Sequence, residues 1–446
     1  MPDKASELKR LKEYIDKGWE FHIIEMLHDL KPVEIAELIE ALDEESRGKF
    51  FLLLDVDTAS EVIAELSSES REDILDDISD KALARIVQDM DSDDAADLVG
   101  DLKDDRAERV LAEMGLVDAS EIKALLEYPE DSAGGIMQRE LVSAPPSTLV
   151  DEVISQIRQL HMEIDNIQNI FVVDQQGKLM GTVPLVDLIL SKTETPISQI
   201  MDIDPLTVPV EMDQEEVAML FKKYDKLVMP VVDKNGVLLG RITVDDIVDI
   251  IEEEATEDMF MMAGAEEDLL SSSILKNAAT RIPWLFVCWI GGVLTTLLIK
   301  GFETTLNQLI GLAAFMPIIL GMGGNIGAQS VALIVRGIAT GRATTSQFLE
   351  IITKQFVVGA LLCAIYGLML GLIAFGIYPD IPKMSIVVGL AIFISMILAS
   401  FVGTALPILF YKLGKDPAVA SAPFVTTTMD LVGVFAYFVI AVALLF

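Results

Sequence analysis

Apolar residues recur every twelve positions through the first third of the chain, at Leu30, Leu42, Leu54, Leu66, Ile78, Met90, Leu102 and Met114. Eight residues after each of the first seven stands another: Leu38, Phe50, Val62, Ile74, Ile86, Leu98 and Val110. The next position is apolar as well, at Ile39, Phe51, Ile63, Leu75, Val87, Val99 and Leu111. Within a unit the spacing i, i+1, i+4 places the three on one face of a short helix. Acidic, capping-type turns such as Asp43-Glu44-Glu45-Ser46 and Asp91-Ser92-Asp93-Asp94 separate the units. Helices this short cannot bury an apolar face alone and must stack, so the pattern predicts an all-α solenoid over 1–130. Most of its carboxylates read as solvated caps. Asp91, Asp93 and Asp94 are dense enough to be candidate cation ligands.

From 131 to 254 the pattern changes to strands alternating with helices, and the segment repeats itself. Met137–Val153 aligns on Met201–Val217, with Pro145 on Pro209. Val172-Val173-Asp174-Gln175-Gln176-Gly177 then matches Val231-Val232-Asp233-Lys234-Asn235-Gly236, Gly181 matches Gly240, and Asp187 matches Asp246. The shift between copies shortens along the way, so the first copy carries a small insertion near Asp165 to Gln168. Each copy predicts a helix, an apolar strand, an Asp-x-x-Gly turn, a second strand and a closing helix, an α/β tandem over 131–244. The last helix continues into an acidic connecting helix expected over 245–275. On it Asp246, Asp249, Glu253 and Glu257 share a face, with Glu254 and Asp258 beside them. Like charges at i, i+4 oppose helix formation by a few tenths of a kcal/mol per pair, so solvent, salt or a divalent cation must neutralise them.

Five long apolar runs follow within 276–446, near 282–299, 306–335, 356–378, 386–411 and 418–446. Each suits a bilayer that needs about 20 helical residues. The second is about 30 residues, some 45 Å as continuous helix, so it must tilt, kink or overrun the membrane. Pro317 and Gly321-Met322-Gly323-Gly324-Asn325-Ile326-Gly327-Ala328-Gln329 provide a kink and a surface without side chains. That surface suits close packing, and Asn325 and Gln329, four apart, favour a polar lining. In the last run the only ionisable side chain is Asp430, preceded by three threonines in Pro423-Phe424-Val425-Thr426-Thr427-Thr428-Met429-Asp430. A carboxylate at bilayer depth costs roughly 2.5–3.5 kcal/mol on insertion scales unless it faces protein or water. A helix-packing hydrogen bond is the plainer explanation; a wet path in which Asp430 meets a cation is the one favoured here.

Charge divides the chain in two. Residues 269–446 hold nine Lys/Arg and five Asp/Glu, leaving 24 of the 33 basic and 65 of the 70 acidic residues in 1–268. So acidic a region excludes nucleic acid as a partner and points to cations. With it in the cytosol, Lys276, Arg281, Arg336, Arg342, Lys354, Lys412 and Lys415 fall inside, and only Lys300 and Lys383 outside. This satisfies the positive-inside rule and puts the C-terminus outside. Cys288 and Cys363 both lie in apolar runs and make neither a metal motif nor a disulfide framework. The N-terminus has no apolar run, so no cleavable signal is expected. An enzyme is not expected either: the only histidines are His22, His28 and His161, and His22 and His28 lie in a helical stretch without a nucleophile. No Gly-x-x-x-x-Gly-Lys-[Ser/Thr] motif for nucleotide hydrolysis is present.

The tandem repeat resembles a pair of CBS domains, regulatory modules that bind adenine nucleotides such as ATP. Their Gly-x-x-Thr-x-x-Asp pattern stands in the second copy as Gly240, Thr243 and Asp246, while in the first Pro184 replaces the threonine. An acidic helical repeat, this pair, Glu254-Ala255-Thr256-Glu257-Asp258, the Gly323 to Gln329 segment and Pro423 to Asp430 follow one another in that order. The whole chain thereby resembles the MgtE family of bacterial magnesium transporters. The resemblance implies a multi-pass protein of the bacterial plasma membrane and a homodimer of five-helix transmembrane domains with a Mg²⁺ path on its axis. That path would be lined by Asp430, the Thr426 carbonyl, Asn325 and Gly324. Regulatory Mg²⁺ ligands would be Asp246, Asp249, Glu254, Glu257, Asp258 and Asp416, then Asp225, Asp213, Gly135 and Asp91. A channel closed by cytosolic Mg²⁺ is the expected activity. An ion-coupled secondary transporter and a non-conducting nucleotide or metal sensor are the alternatives.

Overall fold

The computed structural model describes residues 4–17, 19–27, 30–160, 166–265, 274–341, 348–419 and 422–445. His28, His161 and Arg342 of the sequence reading lie outside the described residues. Two compact units form, Met1–Ile251 and Glu252–Phe446.

The first unit begins with the helices α1 (Lys4–Lys17), α2 (Glu20–Leu27), α3 (Pro32–Glu40), α4 (Glu44–Phe51) and α5 (Val56–Ala64). It continues with α6 (Ser68–Asp77), α7 (Asp80–Asp89), α8 (Ser92–Gly100), α9 (Asp104–Glu113) and α10 (Leu116–Leu125). From α3 onward each twelve-residue unit is one helix, and alternate helices pack together: α3 on α5, α5 on α7, α7 on α9, and likewise α4 on α6 and α8 on α10. Two rows of helices result, and the apolar triplets, Leu38, Ile39 and Leu42 among them, are buried between the rows. The acidic turns do what their composition predicts. Asp43 accepts the Ser46 amide at 3.2 Å and Asp55 the Thr58 amide at 3.0 Å, so each satisfies an amide that its helix leaves open. Ion pairs Arg47–Asp73 (2.7 Å) and Arg106–Asp80 (3.2 Å) join helices within a row.

Two three-stranded sheets follow. The first copy comprises β1 (Ser143–Ala144), α11 (Val150–Leu160), β2 (Asn169–Val173), β3 (Leu179–Pro184) and α12 (Leu185–Leu190). The second comprises β4 (Val208–Pro209), α13 (Gln214–Tyr224), β5 (Val228–Val232), β6 (Leu238–Thr243) and α14 (Val244–Ala263). In each, a short strand runs parallel to the middle one, which pairs antiparallel with the third. The register slips at the same place, between Val172 and Val173 and between Val231 and Val232. Asp174 and Asp233 each accept two amides of their own turn, and Gly177 and Gly236 close those turns at φ 77° and 81°. The two turns also bond each other, Leu179 N–H to the Gly236 carbonyl at 2.9 Å and Leu238 N–H to that of Gly177 at 3.0 Å. The first copy has its own core around Val153, Ile170 and Val183. The solenoid core instead runs through Ala133 and Met137 into the second copy.

The second unit contains α15 (Ile274–Gly301), α16 (Glu303–Gln308), α17 (Gly311–Ala339), α18 (Phe348–Ile377), α19 (Pro382–Lys412) and α20 (Ala422–Leu445). Among the described residues, five helices are long and apolar enough to cross a membrane: Ala278–Gly301, Gly311–Ala339, Phe348–Ile377, Pro382–Lys412 and Pro423–Leu445. Two expectations are corrected. The apolar run from 306 is not one span, because α16 stops at Gln308 and α17 starts afresh at Gly311. The connecting helix ends at Ala263 rather than continuing to 275. Gly264 takes φ 69°, the left-handed closure that favours glycine at a helix end. Within the bundle α19 packs against α17, α18 and α20, and α20 also packs against α15 and α17. Glycines set these approaches: a Cβ at Gly403 would collide with the Gly327 carbonyl, and one at Gly291 with the Thr427 methyl.

Candidate functional site

Asp430 is half-buried on α20. In a regular helix the Thr426 carbonyl is directed at the Asp430 amide four residues on, which places that oxygen and the carboxylate one turn apart. The threonine hydroxyls serve their own helix. Those of Thr426 and Thr427 donate to the Pro423 carbonyl at 3.0 and 2.7 Å, and that of Thr428 to the Phe424 carbonyl at 2.9 Å. Gly324 lets α17 approach here, since a Cβ on it would lie 3.1 Å from the Thr426 methyl. Next to that contact, Asn325 and Gln329 are exposed on the surface of the single chain. The Tyr437 hydroxyl donates to the Leu312 carbonyl at 2.9 Å and ties the same two helices together further along.

A second group of carboxylates lies in the same unit, at the end of α14. Asp258 is half-buried and its pKa is raised to about 6, first by burial, then by the charges of Asp416 and Glu254, while Arg336 acts in the opposite direction. Asp416 accepts the Ala418 amide at 2.7 Å, which fixes its carboxylate. Glu257 is exposed beside them.

A third group joins α8 to the start of α14 in the first unit. Asp93 is only 7% exposed, and its Oδ1 accepts no hydrogen bond among the described residues. Burial, then Asp246, Asp94 and Asp91, push it well above the usual carboxylate range. Asp94 is raised to about 6 and Asp97 to about 7. Both reach solvent on one flank, yet the packed wall behind them raises them more than the neighbouring charges do. Asp246 is raised by burial too, against the hydrogen bond from Thr243. Asp91 occupies the N-cap position of α8 without capping it.

The remaining sequence candidates are more scattered. Asp249 is exposed on α14, and Asp225 is exposed at the left-handed C-terminal end of α13, with φ 49°. Asp213 caps α13 by accepting the Glu215 amide at 2.9 Å. Gly135 is buried in a turn adjoining Asp213, through the Ser132–Asp213 bridge, and a Cβ there would lie 2.5 Å from the Pro129 carbonyl. Among the described residues no three His, Cys, Asp or Glu side chains are gathered into a ready metal cage. Mg²⁺ does not need one, since it retains several waters and takes one or two carboxylates. The orphaned Asp93 oxygen among three other carboxylates fits such an ion.

Residues 316–440 match the divalent cation transporter family MgtE, 30–131 the MgtE intracellular N domain, and 133–192 and 197–253 the CBS domain. The magnesium transporter MgtE of Thermus thermophilus is 38% identical over 73% of this chain and 73% of its own. The chain belongs to the MgtE family. The MgtE of Enterococcus faecalis is 37% identical over 72% of this chain and 71% of its own. Two solved structures are similar over somewhat more than half of the chain. One is the soluble part of a magnesium transporter (29% identity, TM-score 0.53, 57% of this chain and 100% of that one). The other is the cytosolic domain of the Mg²⁺ channel MgtE in complex with ATP (33% identity, TM-score 0.52, 55% and 99%). Its relatives are named magnesium transporters, and the chain, with five helices among the described residues long and apolar enough to span a bilayer, is built as a multi-pass membrane protein.

Three participants escaped the sequence. Ser92 donates to Glu140 at 2.9 Å and accepts the Arg139 amide at 2.8 Å, joining solenoid to tandem repeat. Arg336 comes beside an acidic group only through folding. For Ser92 and Arg336 no spacing marks the role, because their partners lie on other elements; Asp97 stands three residues after Asp94 on α8, a spacing that was there to be read.

Proposed function

We propose that this MgtE protein lets Mg²⁺ enter the cell down its electrochemical gradient along a path lined by Asp430, Thr426, Asn325 and Gly324. The observation that carries this reading is Asp430 itself, half-buried in an apolar span beside the glycine contact of α17 with α20. Two copies about a two-fold axis bring two such carboxylates together, and their joint charge of −2 matches one hydrated divalent ion. An inside-negative potential of 100 mV supplies about 4.6 kcal/mol for two charges, so no hydrolysis is needed. The N-terminus and the acidic regions face the cytosol and the C-terminus faces out. This is supported by Lys300 and Lys383, which sit at the end of α15 and the start of α19, away from Arg336 and Lys412.

Cytosolic Mg²⁺ closes the path. Its ligands would be Glu254, Glu257, Asp258 and Asp416 in one unit, and Asp91, Asp246, Asp249, Asp213, Asp225 and the Gly135 carbonyl in the other. Ions that neutralise these groups favour the compact state; without them the carboxylates repel one another and the bundle opens. Several ions acting on one equilibrium make the response steep. An adenine nucleotide at Thr243 and Asp246 would act on the same equilibrium, and the ATP complex of the related cytosolic domain supports this.

Flux into proteoliposomes tests both halves. Asp430→Ala abolishes Mg²⁺ entry and leaves the Mg²⁺-dependent compaction of the cytosolic part intact. Joint alanine replacement of Glu254, Glu257 and Asp258 leaves a path that does not shut. Normal inhibition by internal Mg²⁺ in that triple variant would refute the gate. Flux that requires an opposing Na⁺ or H⁺ gradient would replace the channel by an exchanger, and no flux at all would leave a sensor.

A further inference from the structure

Helices α18 and α19 approach one another on glycines. A Cβ on Gly367 would sit 2.9 Å from the Gly389 carbonyl oxygen, and one on Gly389 2.8 Å from that of Gly367. With no side chains there or at Gly371, a trough of about 490 Å³ opens along the seam, walled by Leu368, Ile386 and Phe393. Leu368 is 66% and Ile386 56% exposed, so the trough opens outward, where a membrane-spanning bundle meets hydrocarbon. Close-packed apolar matter does not leave such a space empty. The lining from Ala364 to Leu372 on α18 extends the trough by about 12 Å at 1.5 Å per residue, the reach of part of an acyl chain.

The turn that joins the two helices, and the start of α19 after it, carry charge of both signs. Lys383 precedes Ile386 by three residues on α19, so it lies on the same helical face as the trough wall at 386, 390 and 393. Asp380 stands in the turn between the two helices. Lys383 and Asp380 are exposed and enter no ion pair among the described residues. A phosphate followed by an ammonium group matches this pair, phosphate to Lys383 and ammonium to Asp380. We propose that the α18–α19 trough is a site for one zwitterionic aminophospholipid, with an acyl chain against the glycines and the headgroup at Lys383 and Asp380. The proposal needs only that these helices lie in a bilayer; it stands or falls apart from Mg²⁺ permeation.

Native mass spectrometry of the full chain, purified in mild detergent with equal phosphatidylethanolamine and phosphatidylglycerol added, tests it. The expected result is retention of one phosphatidylethanolamine per chain in preference to phosphatidylglycerol. Ala364→Trp fills the trough from its exposed flank and lowers retention about five-fold or more, a change of roughly 1 kcal/mol. Leu361→Trp, exposed on α18 outside the trough lining, leaves retention unchanged. Two substitutions at exposed positions guard against misfolding: Asp380→Asn shifts the preference toward phosphatidylglycerol, and Lys383→Gln weakens both lipids. Undiminished retention in Ala364→Trp would overturn the site, as would equal retention of the two lipids by the unaltered chain. Efficient disulfide cross-linking of Leu368→Cys between two copies would also overturn it, giving the trough to a second chain.

Discussion

The Thr243 hydroxyl donates to Oδ2 of Asp246 at 2.6 Å, and the Thr243 amide donates to the same oxygen at 3.3 Å. Gln138 adds a third donor at 3.3 Å. The residue that resembles a nucleotide ligand and the residue that resembles a metal ligand are thus one hydrogen-bonded unit on the tandem repeat. Thr243 is 1% exposed, so Thr243→Val keeps the packing and removes only the donor. A hydrogen bond to a charged group contributes about 1.5–3 kcal/mol. Thr243→Val should lower the thermal midpoint of the Mg²⁺-free protein, and Thr243→Ser should restore most of it. An unchanged midpoint for the valine variant would show that the hydroxyl does not hold Asp246.

The raised carboxylates predict how the metal-free protein responds to pH. For Asp94, Asp97 and Asp258 the folded values of about 6, 7 and 6 lie above the ordinary 3.8. Between 3.8 and those values the folded chain holds protons that the unfolded chain has lost, so stability falls as pH rises through this window. Scanning calorimetry without divalent ions should show the thermal midpoint declining from pH 5 to pH 8. Saturating Mg²⁺ should flatten the decline, because the ion takes over the neutralising role. Asp97→Asn removes the group with the highest of the three values and should flatten the upper part of the curve. A midpoint that rises over this range would contradict the burial of these groups.

The twelve-residue period was enough to place the solenoid helices, since the apolar triplet recurs unit by unit and several units, such as those opened by Asp43, Asp55 and Ser79, carry their own cap. The Asp-x-x-Gly turns were legible for the same reason: Asp174 and Asp233 satisfy amides within four residues of themselves. Features built from distant pieces were not. The two-residue strands at Ser143 and Val208 have no pattern of their own and exist only through pairing with Phe171 and Val231. The division at residue 130 separates stretches whose compositions differ, yet Ala133 and Met137 carry one continuous core across it into the second repeat. At the candidate path, the lone Asp430 could be read from composition. The fit of Gly291 against Thr427 could not, because a glycine does not say which neighbour it makes room for.

Two glycines of the membrane bundle should behave oppositely. A Cβ on Gly403 meets the Gly327 carbonyl, backbone that cannot yield cheaply, whereas one on Gly321 meets nothing within 4 Å. Gly403→Ala should cost about 1–3 kcal/mol through overpacking. Gly321→Ala should be neutral or stabilise by up to about 1 kcal/mol, the helix-propensity gain. Thermal unfolding in detergent, followed by loss of monodisperse protein, separates the two. Equal midpoints would mean that α17 and α19 do not meet at Gly327.

Arg336 near the end of α17 is a fixed cation that acts on Asp258 against the neighbouring acids. A guanidinium stays charged at any accessible pH, so it offsets part of the negative charge that a Mg²⁺ ion would otherwise meet at Asp258 and Asp416. The tethered charge and the free ion therefore compete for the same field. Arg336→Gln removes the competitor without adding charge, leaving the carboxylates more repulsive when bare and more attractive to the ion. If the gate closes by neutralising these groups, the variant should shut at lower internal Mg²⁺. Differences of about 1 kcal/mol, typical of a screened charge at such sites, correspond to a shift of roughly five-fold. Flux into proteoliposomes loaded with graded Mg²⁺ reads the half-inhibitory concentration directly, and Arg336→Lys, which keeps the charge, should stay near the unaltered value. A shift toward higher Mg²⁺ in Arg336→Gln would show that Arg336 stabilises the closed state by pairing with Asp258, and that the ion does not compete with it.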